Sequence, residues 1–247
     1  IFNPVLRNVL MYIKGDYGME PDCVPFAIHA AVVNHYLGGS VYPRGGSSVI
    51  TQALVSDITA HGGTCLVNAP VDYVIIDQDV ACGVVMKKSG QIIPSKYGVV
   101  AACGVRVLFE QLWSQPIPRV YSELLNDIAP STSFVILFVG MSFIPDLPVA
   151  NVWTEDGLFI AFPSAKDSTY TTRYPGKSTG IVIQQVHDTW VRDEQYKSRK
   201  QQVTDELRTR LLLLYPQCTD KIEYLELGTP CTFQHYLGNQ HGEPYGL

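Results

Sequence analysis

The chain of 247 residues is long enough for one large domain or two small ones. Apolar residues make up 46% of it and charged residues 17%, so charge is scarcer than the roughly 25% of an average globular domain. This balance excludes intrinsic disorder, which requires low hydrophobicity and high net charge. The formal net charge of −5 argues against a nucleic-acid partner, because a protein that tracks phosphates normally carries the opposite sign.

Residues 1–37 predict two helices, the first ended by Gly15 and the second beginning after Pro25. The second helix reads PFAIHAAVVNHYL and carries a wide apolar stripe. Glycine and proline residues then predict a loop. A further helix is predicted from Val49 to His61.

Short strands rich in β-branched and aromatic residues are predicted after this helix. The segments are TCLVNAPVDYVIID, VACGVVMKK and QIIPSKYGVVAAC, and polar turns separate them. The last segment brings the chain back as an apolar strand. This pattern predicts an antiparallel β-meander inserted in an α/β unit.

The second half of the chain predicts a helix in RVLFEQLW, a connector over 115–130 and buried apolar runs at Phe134–Ile144 and Leu158–Phe162. The first of these runs is too short to cross a bilayer. The remaining predictions are a loop over 168–176, a strand at Gly180–Val186, a helix over 193–214 and a strand in KIEYLELGTP.

Few motifs in the chain specify chemistry by themselves. The six cysteines form no CxxC pair, and we expect them to be free and mostly buried thiols. The six histidines are scattered, so no metal site is predicted. The phosphate-binding loop and G-x-G-x-x-G are absent from the sequence, and no nucleophile elbow of the G-x-S-x-G type is predicted. The paired glycines at 38–39, 45–46 and 62–63 can each be plain turn residues.

One string of residues is more specific than its parts. Residues 42–48 read YPRGGSS and are followed by the predicted helix, by Gly62 and Gly63, and by VNAPVDYVII. This order resembles the GG–helix–GG–strand segment of the FAD-dependent carotenoid and retinoid oxidoreductases, which include desaturases and carotenoid isomerases. The segments NHYLGGSVYPRGGSS, AFPSAKDSTYTTRYPGKST and GTPCTFQHYL extend the resemblance to nearly the whole chain.

The resemblance implies an α/β fold with an α+β substrate part, in which a Rossmann-like unit binds FAD. The N-terminal dinucleotide motif of that fold is absent and the chain begins at Ile1, so we expect the middle portion of a longer flavoprotein. The spacing between Trp153 and Leu158 is shorter than in the family, which leaves the fold around 145–160 open. The expected domains are 1–37 and 105–230 for substrate, 38–104 for FAD, and 231–247 returning towards the FAD domain.

The resemblance places three cofactor residues in the predicted strands. Val71 matches a position whose main chain contacts the adenine of FAD, and an ordinary core valine is the alternative. Ala102 and Gly104 match the end of the returning strand, where small residues let the backbone approach the cofactor. A main-chain contact requires a strand edge and no particular side chain.

The turn before the predicted helix supplies the other implied cofactor residues. Gly45 and Gly46 match it, and they either contact flavin or only form the turn. Arg44 either balances the pyrophosphate charge or covers the surface. Tyr42, Tyr245 and His235 are proton-donor candidates by chemistry alone, and no catalytic residue is assigned. The residues implied to lie near the substrate are Tyr42, Tyr245 and Gly246.

The activity implied by the resemblance is flavin-dependent reduction of the 13–14 double bond of all-trans-retinol, a small lipid. The same resemblance implies NAD or NADP as the electron source. It also implies association with the endoplasmic reticulum membrane through segments outside this chain. Two alternatives stay open: a carotenoid isomerase or desaturase, and a fragment without catalytic activity.

Overall fold

The structure, a computed structural model, describes residues 3–19, 21–129 and 131–244. It divides into two compact units. The first contains the described residues up to Leu54 together with Thr132–Thr232, and the second contains Val55–Ser131 and the described residues from Phe233 onward. The assignment of residues to FAD and substrate domains stays a prediction.

The described chain contains both helices and strands, so the fold mixes both kinds of element as predicted. The strands are β1 (Val71–Asp77), β2 (Val80–Met86), β3 (Ile92–Pro94), β4 (Ser133–Ser142), β5 (Val152–Trp153), β6 (Phe159–Ala161), β7 (Lys177–Val186) and β8 (Ile222–Gly228). The α-helices are α1 (Pro4–Leu10), α2 (Phe26–Leu37), α3 (Ser48–Ala60), α4 (Arg119–Asp127), α5 (Pro163–Lys166), α6 (Tyr170–Arg173), α7 (Tyr196–Leu214) and α8 (Pro230–Leu237). A π-helix spans Val107–Leu112, and short 3₁₀ turns span Tyr12–Asp16, Pro21–Cys23 and Pro216–Cys218.

The first unit is built on a five-stranded sheet in the order β5-β6-β7-β4-β8. Its strand pairs are antiparallel, and β4 pairs with β7 from Ser133 opposite Val186 to Ser142 opposite Lys177. Side chains from alternate positions of β4 face a core that α7 covers with Leu207 and Leu211. Burial of this apolar surface is the main stabilising force of the unit.

The second unit contains the meander β1-β2-β3, whose strand pairs are antiparallel as predicted. Gln78 and Asp79 connect β1 to β2 and both have positive φ angles, 47° and 62°. Two such residues in succession form the turn that suits a tight hairpin, because its twist matches the twist of the strands.

Several elements differ from the sequence prediction. Residues 95–104 form no strand, since β3 already ends at Pro94. Apolar side chains after this point are exposed, as at Val100, so no packing against a neighbour favours a strand there. Helix α4 lies in the predicted connector, α6 lies in the predicted loop over 168–176, and α8 opens the C-terminal segment. The short spacing after Trp153 forms a β5-β6 hairpin, in which Trp153 pairs with Phe159.

Burial of the cysteines and of α2 also departs from expectation. All six cysteines are free, but only Cys218 and Cys231 are buried, and the expectation of mostly buried thiols is wrong. Helix α2 forms as predicted, yet none of its residues is buried and its apolar stripe is exposed. Amphipathic spacing predicts a helix but does not determine what covers its apolar face.

Candidate functional site

The glycine turn, Pro43–Gly46, is the part of the predicted site with the most defined geometry. The Gly46 N–H donates to the Pro43 carbonyl at 3.0 Å, and Gly45 has a φ of +96°. A hydrogen-bonded turn with positive φ at its third residue is of type II, which favours glycine at that position. Helix α3 begins two residues later, and a Cβ on Gly45 would lie only 2.7 Å from Cγ1 of Val49. Steric contact and backbone conformation therefore both favour glycine here.

The turn is held by a carboxylate that is distant in sequence. Asp167 is buried, with 5% of its surface exposed. Its Oδ1 accepts the Gly45 N–H at 3.1 Å, the Thr169 N–H at 2.9 Å and the Thr169 hydroxyl at 2.7 Å. Its Oδ2 forms a hydrogen-bonded ion pair with Arg173. Four donors thus converge on one buried charge, which is how a buried carboxylate is stabilised.

Local structure explains why Asp167 lies at this place. Pro163 opens α5, where a proline fits the first turn because its missing N–H would be unpaired anyway. Asp167 then ends the helix in an extended conformation, with φ −91° and ψ 106°. Its side chain bonds the N–H two residues ahead, as in an Asx turn. Helix α6 follows at once and carries Arg173 back to the same carboxylate.

The ionisation of Asp167 follows from this network. Burial by itself would raise the pKa of Asp167, but the hydrogen bonds from Gly45, Thr169 and Arg173 outweigh it and hold the pKa well below the usual 3.8. The carboxylate is therefore charged at neutral pH. Its charge keeps Arg173 in place beside the turn.

The depressed pKa predicts how acid weakens this contact. A carboxyl group whose pKa is lower in the folded than in the unfolded protein stabilises the fold at any pH above its unfolded pKa. This stabilisation is lost as the pH falls from the unfolded pKa towards the folded pKa. We expect the stability advantage of the wild type over Asp167→Asn to be full at pH 6 and to shrink below about pH 4. Urea unfolding of both proteins at pH 6 and pH 3 measures it. A stability difference that grows between pH 6 and pH 3 would contradict the depressed pKa.

Arg173 brings a cation to the glycine turn. Its guanidinium carbon lies 5.0 Å from the centre of the Tyr174 ring and 5.9 Å from that of Tyr170, distances at which cations are attracted to aromatic faces. One of its terminal nitrogens lies 3.8 Å from the place where a Cβ on Gly46 would be. The turn therefore places bare backbone beside an arginine whose charge is balanced by the Asp167 carboxylate.

The structure places the other predicted residues of this turn at the surface. Arg44 is exposed in the turn itself, and Tyr42 is 36% exposed directly before it. Exposed side chains next to bare backbone are available to a ligand. Tyr245 and Gly246 lie outside the described residues.

In the second unit, Val71 is half-buried at the start of β1. Strand β1 is at the edge of its sheet, with β2 on one side only. On the other side a parallel bridge joins Val74 to Trp113, and the Ser114 hydroxyl donates to the Val74 carbonyl at 2.6 Å. These contacts lie further along the strand than Val71. The edge that a main-chain contact with a nucleotide requires is therefore present, and the contact itself stays a prediction.

Ala102 and Gly104 do not end a strand, contrary to the expectation for the returning segment. Ala102 is exposed in an irregular stretch, and Gly104 accepts the Leu108 N–H at 3.0 Å at the start of a helical turn. His235 is exposed on α8. Of the predicted cofactor residues, the first unit contains Arg44, Gly45 and Gly46, and the second contains Val71, Ala102 and Gly104. Neither unit by itself contains the whole set.

A cavity of about 380 Å³ in the second unit contains none of the predicted site residues. Arg106 lines it, but its guanidinium already donates to the Leu125 and Ile128 carbonyls, the latter at 2.7 Å. In residues 3–19, 21–129 and 131–244, no group of three or more His, Cys, Asp and Glu side chains is arranged to hold a metal ion. None of the helices in the described part of the chain has the length and apolar character needed to cross a membrane.

Comparison with solved structures gives the fold of the chain. It matches an oxidoreductase from Methanosarcina mazei with a TM-score of 0.63 and 19% sequence identity, over 93% of this chain and 54% of that one. No family model matches the sequence. At this sequence identity the match shows that the two chains share a fold, and it does not identify the reaction.

Curated proteins are similar to this chain over most of its length. The chain is 23% identical to prolycopene isomerase 2 from an Oncidium hybrid cultivar over 87% of its length and 40% of that protein. It is more similar to two all-trans-retinol 13,14-reductases, and these names together match the carotenoid oxidoreductase family. The one from Danio rerio is 31% identical over 99% of this chain and the one from Homo sapiens is 30% identical over 98%. The chain spans 47% and 46% of their lengths.

Sequence reasoning missed the residues that hold the turn. Asp167, Thr169 and Arg173 lie in AFPSAKDSTYTTRYPGKST, which served only as a mark of resemblance. The signal present was Asp followed two residues later by Thr, the pattern of an Asx turn. Nothing in that local pattern indicates a bond to Gly45, 122 residues away.

Proposed function

We propose that this chain is part of a flavin-dependent oxidoreductase that reduces the 13–14 double bond of all-trans-retinol. The observation that carries the proposal is the match to reductases of that name over 99% and 98% of the chain. We further propose NAD or NADP as the electron source. Association with the endoplasmic reticulum membrane, through parts of the protein outside this chain, belongs to the same proposal.

The described residues fit a dinucleotide in two respects. The glycine turn offers backbone without side chains beside Arg44 and Arg173, and the first part of β1 offers a strand edge at Val71. Within the first unit, Arg44, Gly45 and Gly46 are the residues that would hold the cofactor. When bound and reduced, FAD would supply the hydride that the double bond accepts.

This chain's residues would position the reactants. Asp167 fixes the turn and holds the Arg173 guanidinium next to it. The double bond also needs a proton on its second carbon. Among the candidate donors, Tyr42 is the one in the same unit as the glycine turn, directly before Pro43.

Reduction and isomerisation can be separated by product mass. The full-length protein, loaded with FAD and reduced anaerobically by dithionite, is given all-trans-retinol or prolycopene, and the products are analysed by chromatography and mass spectrometry. We expect retinol to gain two hydrogen atoms. Isomerised prolycopene of unchanged mass, with retinol untouched, would contradict the proposal and favour the isomerase that the Oncidium relative supports. A full-length protein that binds no FAD would contradict both.

A further inference from the structure

We propose that Asp167 is a positioning residue that holds the Gly45-Gly46 turn in the conformation in which the cofactor binds. The inference rests on the proposed function for the identity of the cofactor. It adds a residue that the resemblance did not imply, because Asp167 is drawn in only by the hydrogen bond from the Gly45 N–H.

The hydrogen-bond pattern of the turn shows why it needs an outside anchor. The turn closes itself through one bond, from the Gly46 N–H to the Pro43 carbonyl. Gly45 has a φ of +96° and Gly46 of +84°, and two successive glycines have more conformations open to them than any other pair. The Gly45 N–H is fixed by the Asp167 carboxylate, and a hydrogen bond to a charged group is stronger than one to a neutral group.

The Asp167 carboxylate that holds the turn is itself rigidly placed. Asp167 is buried and its two oxygens receive four donors, so its side chain has little freedom to follow the turn. Arg173 is 35% exposed and is held by Asp167 and by the faces of two tyrosines. Loss of the carboxylate charge would therefore release both the Gly45 N–H and the cation beside Gly46. A ligand that uses this surface would meet an unfixed backbone and a displaced arginine.

The position of Arg44 provides a direct assay for the turn. Trypsin cleaves after arginine, and the peptide bond that follows Arg44 contains the Gly45 N–H that Asp167 binds. We expect Asp167→Asn in the full-length protein to raise the rate of tryptic cleavage at Arg44 by about tenfold. Cleavage at the exposed Lys88, in the turn between β2 and β3, serves as the internal reference and should not change. Mass spectrometry of the fragments measures both sites.

The same variant tests the link to the cofactor. We expect the dissociation constant for FAD to rise by about tenfold in Asp167→Asn, measured by flavin fluorescence. The matched control is Asp156→Asn, which also removes a carboxylate paired with an arginine, Arg210, in the same unit. The control should change neither the cleavage at Arg44 nor FAD binding.

A folded Asp167→Asn protein with wild-type cleavage at Arg44, or with wild-type FAD affinity, overturns the inference. If Asp167→Asn does not fold, Thr169→Val is used instead, because it removes one hydroxyl donor and keeps the charge. We expect this variant to raise cleavage at Arg44 by roughly twofold to fivefold, and no rise overturns the inference. Failure of the proposed function is distinct, since the wild-type protein itself would then bind no FAD.

Discussion

Replacement of Leu211 by alanine is expected to lower the free energy of unfolding by about 2–5 kcal/mol. Leu211 has no exposed surface and lies in the core of the first unit, where α7 packs on the five-stranded sheet. Alanine would remove buried methyl groups and leave a cavity that the sheet cannot fill, because its strands are held by backbone hydrogen bonds. Urea unfolding followed by tryptophan fluorescence, to which Trp190 in the same core contributes, measures the change.

The matched control for this prediction is Leu213→Ala on the same helix. Leu213 is 76% exposed, so its truncation removes little buried surface and should change stability by no more than about 0.5 kcal/mol. Both substitutions change helix propensity equally. Equal losses at the two positions would show that α7 does not pack on the sheet through Leu211.

Helix α7 shows what apolar spacing can and cannot predict. The helical spacing of Val203, Leu207, Arg210, Leu211 and Leu214 predicts a helix over 193–214, and the structure has one at Tyr196–Leu214. Leu207 and Leu211 are buried, but Leu214 is 50% exposed. The spacing identifies the face that turns to the core. The extent of that core depends on where the sheet ends, which the helix sequence does not contain.

The meander shows how a strand depends on having a partner strand. The meander strands β1 and β2 are joined by a tight turn, and their pairing follows from short loop closure. The segment after Pro94 has equally favourable residues but forms no strand, because no neighbouring strand pairs with it there. β-Propensity mostly expresses packing against neighbours, and it fails where those neighbours are missing.

Some residues of the candidate site could be predicted from local sequence, and others depend on contacts that are distant in sequence. Gly45 and Gly46 could be identified from the local string YPRGGSS, because their requirement for positive φ is local. Asp167 could not, since its role depends on a contact across 122 positions. Val71 could be placed at a strand start from local signals, and whether a nucleotide contacts it depends on parts of the fold that local signals do not describe.

Substitution of Gly45 by alanine is expected to lower the free energy of unfolding by about 2–4 kcal/mol. The backbone at Gly45 has a φ of +96°, which strains any residue with a Cβ. The added Cβ would also lie 2.7 Å from Cγ1 of Val49. Valine in a helix has one strongly preferred rotamer, so Val49 cannot easily move aside. Urea unfolding measures the loss, and tryptic cleavage at Arg44 should rise because the turn must change shape.

The matched control is Gly38→Ala in the same loop. Gly38 has a φ of −78° and no atom within 4 Å of an added Cβ, so alanine meets neither strain nor a neighbour. We expect its stability to stay within about 0.5 kcal/mol of the wild type, with unchanged cleavage at Arg44. If Gly45→Ala were as stable as Gly38→Ala, the type II turn would not be the conformation of Pro43–Gly46 in solution. The anchoring of that turn by Asp167 would then lose its geometric basis, because the Gly45 N–H would no longer point at the carboxylate.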